Sequence, residues 1–188
     1  MPLTVVSGVP GVGSSRVCEA ARKRLDDAHR LVNFGDVMLQ EALGAGIETR
    51  DDLAQMTPRE LRVLQRRAGE FVAAREVDRD RSVILNTHLV VNTASGFLPG
   101  MPETVLADLS PDAFVLVEAE PTAIRDRRDS SEYRQYPGDE VLGIEFHQDL
   151  SRSAATWCSM AADAPVHLVE NTDSVEAAAE QLVEVLSA

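Results

Sequence analysis

Val5-Val6-Ser7-Gly8-Val9-Pro10-Gly11-Val12-Gly13-Ser14-Ser15-Arg16 is the stretch on which the reading of the chain turns. An apolar run enters a glycine-rich turn, and a helix-like pattern begins beyond it. Gly8, Gly13 and Ser15 have the spacing of the phosphate-binding pattern G-x-x-x-x-G-K-[ST], with Ser14 in the lysine slot. A loop that enters a helix N-terminus points backbone N–H groups, and the positive end of the helix dipole, into one cavity. Gly8, Gly11 and Gly13, with Val9, Pro10 and Val12 between them, let the backbone approach a phosphate closely. The Ser15 hydroxyl stands where this pattern places a magnesium ligand. Arg16 lies two residues past the lysine slot, so on a helix it points elsewhere and borders the loop without replacing the lysine. The glycine order differs from the dinucleotide order G-x-G-x-x-G, which argues against a nicotinamide or flavin cofactor.

Outward from this loop, short apolar runs alternate with helical patterns. Strands are expected at Leu3–Ser7, Leu31–Val32, Ser82–Asn86, Ala113–Glu118 and Val166–Val169. Helices are expected after the loop, over Val37–Leu43, from Thr57, over Leu142–Ala162 and over Val175–Leu186. Thr57-Pro58-Arg59-Glu60 is a helix start, with Thr57 as cap, Pro58 at the first helical position and Glu60 closing a capping box. Leu61, Leu64, Ala68, Phe71 and Val72 then form one apolar stripe. Residues 92–102, rich in Gly and Pro, are expected to be loop, and Arg125–Asp139 a polar, mobile excursion. This alternation predicts an α/β domain with a parallel sheet, whose ligands bind beyond the carboxyl ends of the strands. The glycine loop, Asn33–Asp36, Thr87–Gly100 and the arginine-rich excursion all fall at that edge.

A chain of 188 residues is read as one domain, residues 1–188. No apolar run is long enough to span a membrane, and the N-terminus lacks the layout of a secretory signal, so a cytoplasmic protein without a membrane partner is expected. Two cysteines, Cys18 and Cys158, are too few for a disulfide framework and are expected to be reduced and packed. Acidic residues total 31 against 18 basic ones, and only Lys23 among the latter is lysine. A net charge of −13 makes nucleic acid a poor partner. Two explanations compete for this composition: a high-salt interior, where acidic surfaces stay solvated and their repulsion is screened, and a codon bias toward Arg and Ala, which leaves the acid excess unexplained.

GVPGVGSS at 8–15, VNFGDVM at 32–38, RDDLAQM at 50–56, NTHLVVNTASGFLPGMP at 86–102 and LSPDAFVLVEAEP at 109–121 together resemble the archaeal-type adenylate kinases, in the family order, from Leu3 to the C-terminus. The resemblance implies a three-layer P-loop, nucleoside-monophosphate kinase fold: a five-stranded parallel sheet with helices on both faces. It implies the reaction ATP + AMP ⇌ 2 ADP with magnesium. Gly8 to Ser15 match the ATP loop, bordered by Arg16. Gly35 and Asp36 match part of the AMP pocket, within a monophosphate-binding segment at 33–78. Thr87 and His88 match a D-T-H turn, and Gly96, Pro99 and Gly100 a loop beside the monophosphate. Arg127, Arg128 and Arg134 fall in a short lid at 125–139, as catalytic arginines.

Three departures bear on rate and metal affinity. Ser14 occupies the lysine slot. Asn86 replaces the aspartate that supports the magnesium water shell. Ser131-Glu132-Tyr133-Arg134 replaces T-R-N-R. From the residues alone, Asp36 either meets nucleotide or caps its helix, and His88 either contacts the monophosphate or is a hydrogen-bonded structural histidine. Met38 and Met56 are read as packing residues. Phosphoryl transfer needs no side-chain nucleophile, only alignment, charge neutralisation and exclusion of water. A kinase of another monophosphate or small acceptor, and a nucleotide-binding module without activity, stand as the rivals.

Overall fold

The computed structural model describes residues 2–25, 28–43, 46–75, 81–130 and 141–187. Five parallel strands form one sheet: β1 (Leu3–Ser7), β2 (His29–Asn33), β3 (Ser82–Thr87), β6 (Ala113–Glu118) and β7 (Val166–Glu170), in spatial order β2-β3-β1-β6-β7. β1 is central and is buried throughout, as an unbroken apolar run in a parallel sheet must be. Its side chains alternate between faces. Leu3 and Val5 join Val83, Leu85 and Phe114 in one core; Val6 joins Ile84, Val115, Val117 and Val169 in the other.

The first core is covered by α2 (Phe34–Glu41), α4 (Pro58–Arg75) and α5 (Glu103–Leu109). The second is covered by α1 (Ser14–Arg24) and α8 (Val175–Leu186), which pack on each other, and by Ile124 of α6 (Pro121–Asp129). The long α7 (Val141–Ala162) serves both, with Ala155 and Cys158 in the first core and Ile144 in the second. Helices thus lie on both faces of the sheet, giving the three expected layers. Among the described residues, no helix is long and apolar enough to cross a membrane.

Two expectations need correction. Residues 92–102 are not simply loop: β4 (Val90–Thr93) and β5 (Gly96–Pro99) pair antiparallel, with Val90 opposite Pro99 and Thr93 opposite Gly96. Ala94 and Ser95 form a two-residue turn that leaves through Gly96 at φ +101°, and the Thr93 hydroxyl donates to the Gly96 carbonyl at 2.8 Å. Glycine and proline mark the turn and the outer strand of a hairpin, where a missing ladder donor is tolerated. Residues 125–129, read as the start of a mobile excursion, continue α6; residues 131–140, with most of the lid and Arg134, lie outside the described residues. The helices α3 (Arg50–Gln55) and α5 had no expected counterpart. α3 begins with a complete capping box: the Thr49 hydroxyl accepts from the Asp52 amide, and the Asp52 carboxylate accepts from the Thr49 amide.

Both cysteines are buried and free. Burial pushes the Cys18 thiol up to about 12 and the Cys158 thiol to about 11, so the thiolate is scarce at neutral pH. Native protein at pH 8 should leave both thiols unmodified by an aromatic disulfide reagent over the time in which denatured protein reacts at two sites. Rapid native labelling of either would contradict the packing.

Candidate active site

The glycine loop is held by its carbonyls. The Gly8 carbonyl accepts from His88 Nδ1 at 2.6 Å, which requires the proton on that nitrogen. Val9 accepts from the Val12 amide at 3.1 Å. Pro10 accepts from Arg128 Nε and Nη2 at 2.9 and 2.7 Å. Val12 accepts from Asn171 Nδ2 at 2.8 Å and Arg127 Nη1 at 3.0 Å, and Gly13 from the Val17 amide at 3.0 Å. A glycine-rich loop whose carbonyls are engaged in this way can turn its remaining amides to one concave side, the arrangement of an anion-binding nest. Gly11 and Gly13 have φ of +87° and +94°, a left-handed conformation that other residues adopt only with strain. α1 starts on Gly13 without a side-chain cap and without an acid in its first turn, whereas Arg22, Lys23 and Arg24 face its negative end. Its positive end is therefore open to a phosphate.

Beside the loop lies a cavity of about 470 Å³. Ser15, Asn86, Thr87, His88 and Arg128 line one part of it, and Asn33, Gly35 and Arg50 another. Phe34, Met38, Leu53, Leu61, Val91 and Phe97 supply an apolar wall. Charge and apolar surface thus meet in one concavity, as a nucleotide-sized ligand requires. Arg50 enters it from the first turn of α3, with its Nη2 donating to Asp36 at 2.6 Å and to Asn33 at 2.9 Å. Gly35 is tight against that guanidinium, so a Cβ there would overlap it. At the far side a Cβ on Gly100 would overlap the His88 carbonyl, while the Gly100 amide donates to Leu89 at 2.8 Å. The hairpin is thereby clamped to the end of β3.

The expected site residues separate by position. Ser15, Gly35, Thr87, His88, Gly100 and Arg128 line the cavity, and Met38 joins them although read as packing. Gly96 does not line it; it turns the hairpin, exposed. Asp36 is largely exposed and holds Arg50, and it makes no side-chain cap on α2. Arg16 is exposed on α1. Arg127 gives its guanidinium to the carbonyls of Val12, Asn171 and Thr172. Asn86 is 5% exposed; its Nδ2 donates to the Ser15 hydroxyl at 2.8 Å, and its Oδ1 has no partner. Arg50, Gln65 and Phe97 line the cavity from stretches expected at the site, 33–78 and 87–100, though none was singled out as a residue, and His147, expected to have no site, joins them. A signal existed for two of them. Arg50 follows the T-x-x-D capping pattern at Thr49, and Gln65 is a polar residue within the apolar stripe of α4.

Residues 7–144 match the protein family described as AAA domain. The chain is 38% identical over 188 residues to an adenylate kinase of Methanothermobacter thermautotrophicus, covering 99% of this chain and 100% of that protein. It is 38% identical to an adenylate kinase of Methanopyrus kandleri, covering 97% and 96%, and 36% identical to one of Methanocaldococcus jannaschii, covering 98% and 97%. Among solved structures, a shikimate kinase from Bacteroides thetaiotaomicron superposes with a TM-score of 0.58 at 13% identity, over 100% of this chain and 99% of that one. That likeness is one of fold.

His147 of α7 closes the cavity edge-on to Phe97, at 4.9 Å between ring centroids, and donates from Nε2 to the Val90 carbonyl at 3.0 Å. Burial holds its imidazole below the ordinary value of 6.5; the bond to Val90 opposes this and the Arg128 charge adds to it. The unfolded chain therefore takes up this proton more readily than the folded one. The contribution to stability is complete above the ordinary value and is lost as pH falls toward the native one, at no more than about 1.4 kcal/mol per pH unit. Denaturant unfolding at pH 7.5 and 5.5 should show a larger loss for the parent than for His147→Gln, which keeps a donor for Val90 without the titration. Equal losses would mean that His147 does not carry this dependence.

Proposed function

The chain belongs to the adenylate kinase family of P-loop proteins and is a phosphotransferase, and we propose that it interconverts ATP and AMP with two ADP, with magnesium, in the cytoplasm. The observation that carries this reading is a shared wall: Ser15 at the end of the glycine loop and Asn86 at the end of β3 line the same cavity as Arg50, His88 and Arg128. A donor on the loop and an acceptor in the cavity would meet there, with phosphates facing one another.

In this reading the loop amides of residues 8–15 and the N-terminus of α1 bind the donor's phosphates, and Ser15 begins the metal's surroundings. The segment 33–78 and the hairpin hold AMP, with the apolar wall about the base and Arg50 near the phosphate. Arg128 brings fixed positive charge to the transferring group, a role suited to a planar guanidinium. Arg127 positions the loop through Val12, and Arg134 would complete the lid. No side chain need form a covalent intermediate, because the acceptor phosphate is the nucleophile. The residues fit a magnesium ion: an exposed serine hydroxyl adjoins a buried amide whose oxygen lacks a donor, and a hydrated ion supplies donors. When bound with ATP, magnesium supplies charge neutralisation across the phosphates.

Purified protein should form ADP only when ATP, AMP and magnesium are all present, with AMP preferred over CMP, UMP and GMP. Turnover with a different acceptor would support a kinase of that compound, and ATP binding with no turnover would support a binding module. Activity and thermal stability should rise from dilute buffer to multimolar potassium chloride, as the net charge of −13 is screened. A protein equally stable and monodisperse in dilute buffer would exclude the high-salt reading.

Ser14 and Asn86 act as a pair in this proposal, lacking one positive and one negative charge relative to a K-containing loop with aspartate. Asn86→Asp should lower the half-saturating magnesium concentration by about tenfold, the scale of losing or gaining a partner that orients a metal's ligand or bound water. Ser14→Lys alone should raise kcat less than about tenfold, because the added charge has no counterpart in the metal's surroundings. A larger gain from Ser14→Lys would sink the pairing.

A further inference from the structure

Gln65 is 1% exposed, on the face of α4 that carries Leu61, Leu64, Ala68 and Val72 into the core. Its Nε2 donates to the carbonyls of Pro99 at 2.9 Å and Gly100 at 3.3 Å. Both partners are pure acceptors, so only the NH2 end of the amide can face them, and the orientation of the side chain is settled by chemistry. The Oε1 then lies away from the hairpin, buried and without a partner. A buried acceptor left unpaired is costly and calls for a reason. Gln65 also lines the cavity, among Phe34, Met38, Leu53 and Phe97.

We infer that Gln65 is a specificity-determining residue: its Oε1 accepts a hydrogen bond from the exocyclic amino group of the acceptor's base. The inference rests on the reading of this cavity as the acceptor site. An aromatic base fits the apolar wall, and among the described residues Gln65 Oε1 is the buried, unpaired acceptor on the α4 side of it, whereas Asn86 Oδ1 lies at the Ser15 end of the cavity. A 6-amino purine brings an N–H to Gln65 Oε1. A 6-keto purine brings a second acceptor and leaves both lone pairs unpaired in a dry site, which a site built around such a bond rejects strongly. The terminal torsion of glutamine is soft, so Oε1 can turn toward a ligand while Nε2 keeps one of its two carbonyls. The hairpin thereby selects the base indirectly, by holding the amide the right way round.

The test compares AMP, IMP and the 5′-monophosphate of purine riboside, which lacks the amino group, as acceptors with magnesium-ATP. The parent should favour AMP over each by at least about tenfold in kcat/KM. Gln65→Met, close in volume and without the acceptor, should collapse that ratio through the KM for AMP, with the KM for ATP unchanged. If Gln65→Met lowers all three acceptors equally, or only lowers the melting temperature, Gln65 is structural and the inference fails. If Gln65→Met does not fold, the parent's ratio of AMP to purine riboside monophosphate still decides: a ratio near one overturns the inference. If the parent makes no ADP, the reading of the site as an adenylate kinase fails separately. Equilibrium binding of AMP against IMP then tests the amino-group contact by itself.

Discussion

A loop that offers its amides to a phosphate turns its carbonyls the other way, and those carbonyls need donors of their own. Here the donors come from distant parts of the chain. His88 at the end of β3 holds Gly8, Arg128 of α6 holds Pro10, and Arg127 of α6 with Asn171 beyond β7 hold Val12. Every one of these donors stands at the carboxyl edge of the sheet. The parallel strand order brings them there, because β3 and β6 flank β1 and β7 lies next to β6. The shape of the loop is therefore a product of the whole sheet, although its pattern is confined to eight residues.

The cavity beside the loop depends on a similar economy of contacts. α3 is a single short helix, yet its capping box fixes where Arg50 leaves it, and Asp36 and Asn33 fix where the guanidinium ends. The hairpin is pinned by the close approach of Gly100 to His88 and by Gln65 reaching across from α4. Among the described residues, the buried side-chain atoms without a partner are Gln65 Oε1, Asn86 Oδ1 and Asn171 Oδ1. All three residues adjoin the loop or the cavity. Gln65 and Asn86 line the cavity, where a ligand atom could complete them, and Asn171 stands behind the loop at Val12; among the described residues the two cores away from the site show no such atom.

Much of this was legible in the sequence. The five strands were, because buried parallel strands are short apolar runs, and so was the loop, because glycine spacing is local. The hairpin was not: its glycines and prolines are the same signal that marks loop, and only pairing distinguishes them. Arg127 and Arg128 read alike as neighbours in an arginine cluster. On a helix successive residues diverge by about 100°, so one reaches the cavity and the other the back of the loop. Gln65 and Arg50 left only local traces, a polar residue in an apolar stripe and a neighbour of a capping pattern, and tertiary packing is what brings both to the cavity. The curated relatives, matched over nearly the full chain, support the family resemblance that the motifs carried.

The missing lysine can be weighed in the same terms. A loop lysine is a mobile point charge on the loop itself, whereas Arg128 is 6% exposed and bonded twice to Pro10. Its charge is held by α6 against the loop, unlike that of a lysine carried on the loop itself. Fixed charge favours a transition state whose geometry it matches and gives little to a ground state that wanders. Burial above all, with the Arg128 charge adding to it, holds the His147 imidazole below its ordinary value, so at neutral pH the histidine adds no charge to those of Arg50 and Arg128. The cavity thus keeps a small number of oriented guanidinium groups within a strongly acidic protein. In a strongly acidic chain, such local, dry and oriented cations offer an anion an attraction at short range that the long-range repulsion does not cancel.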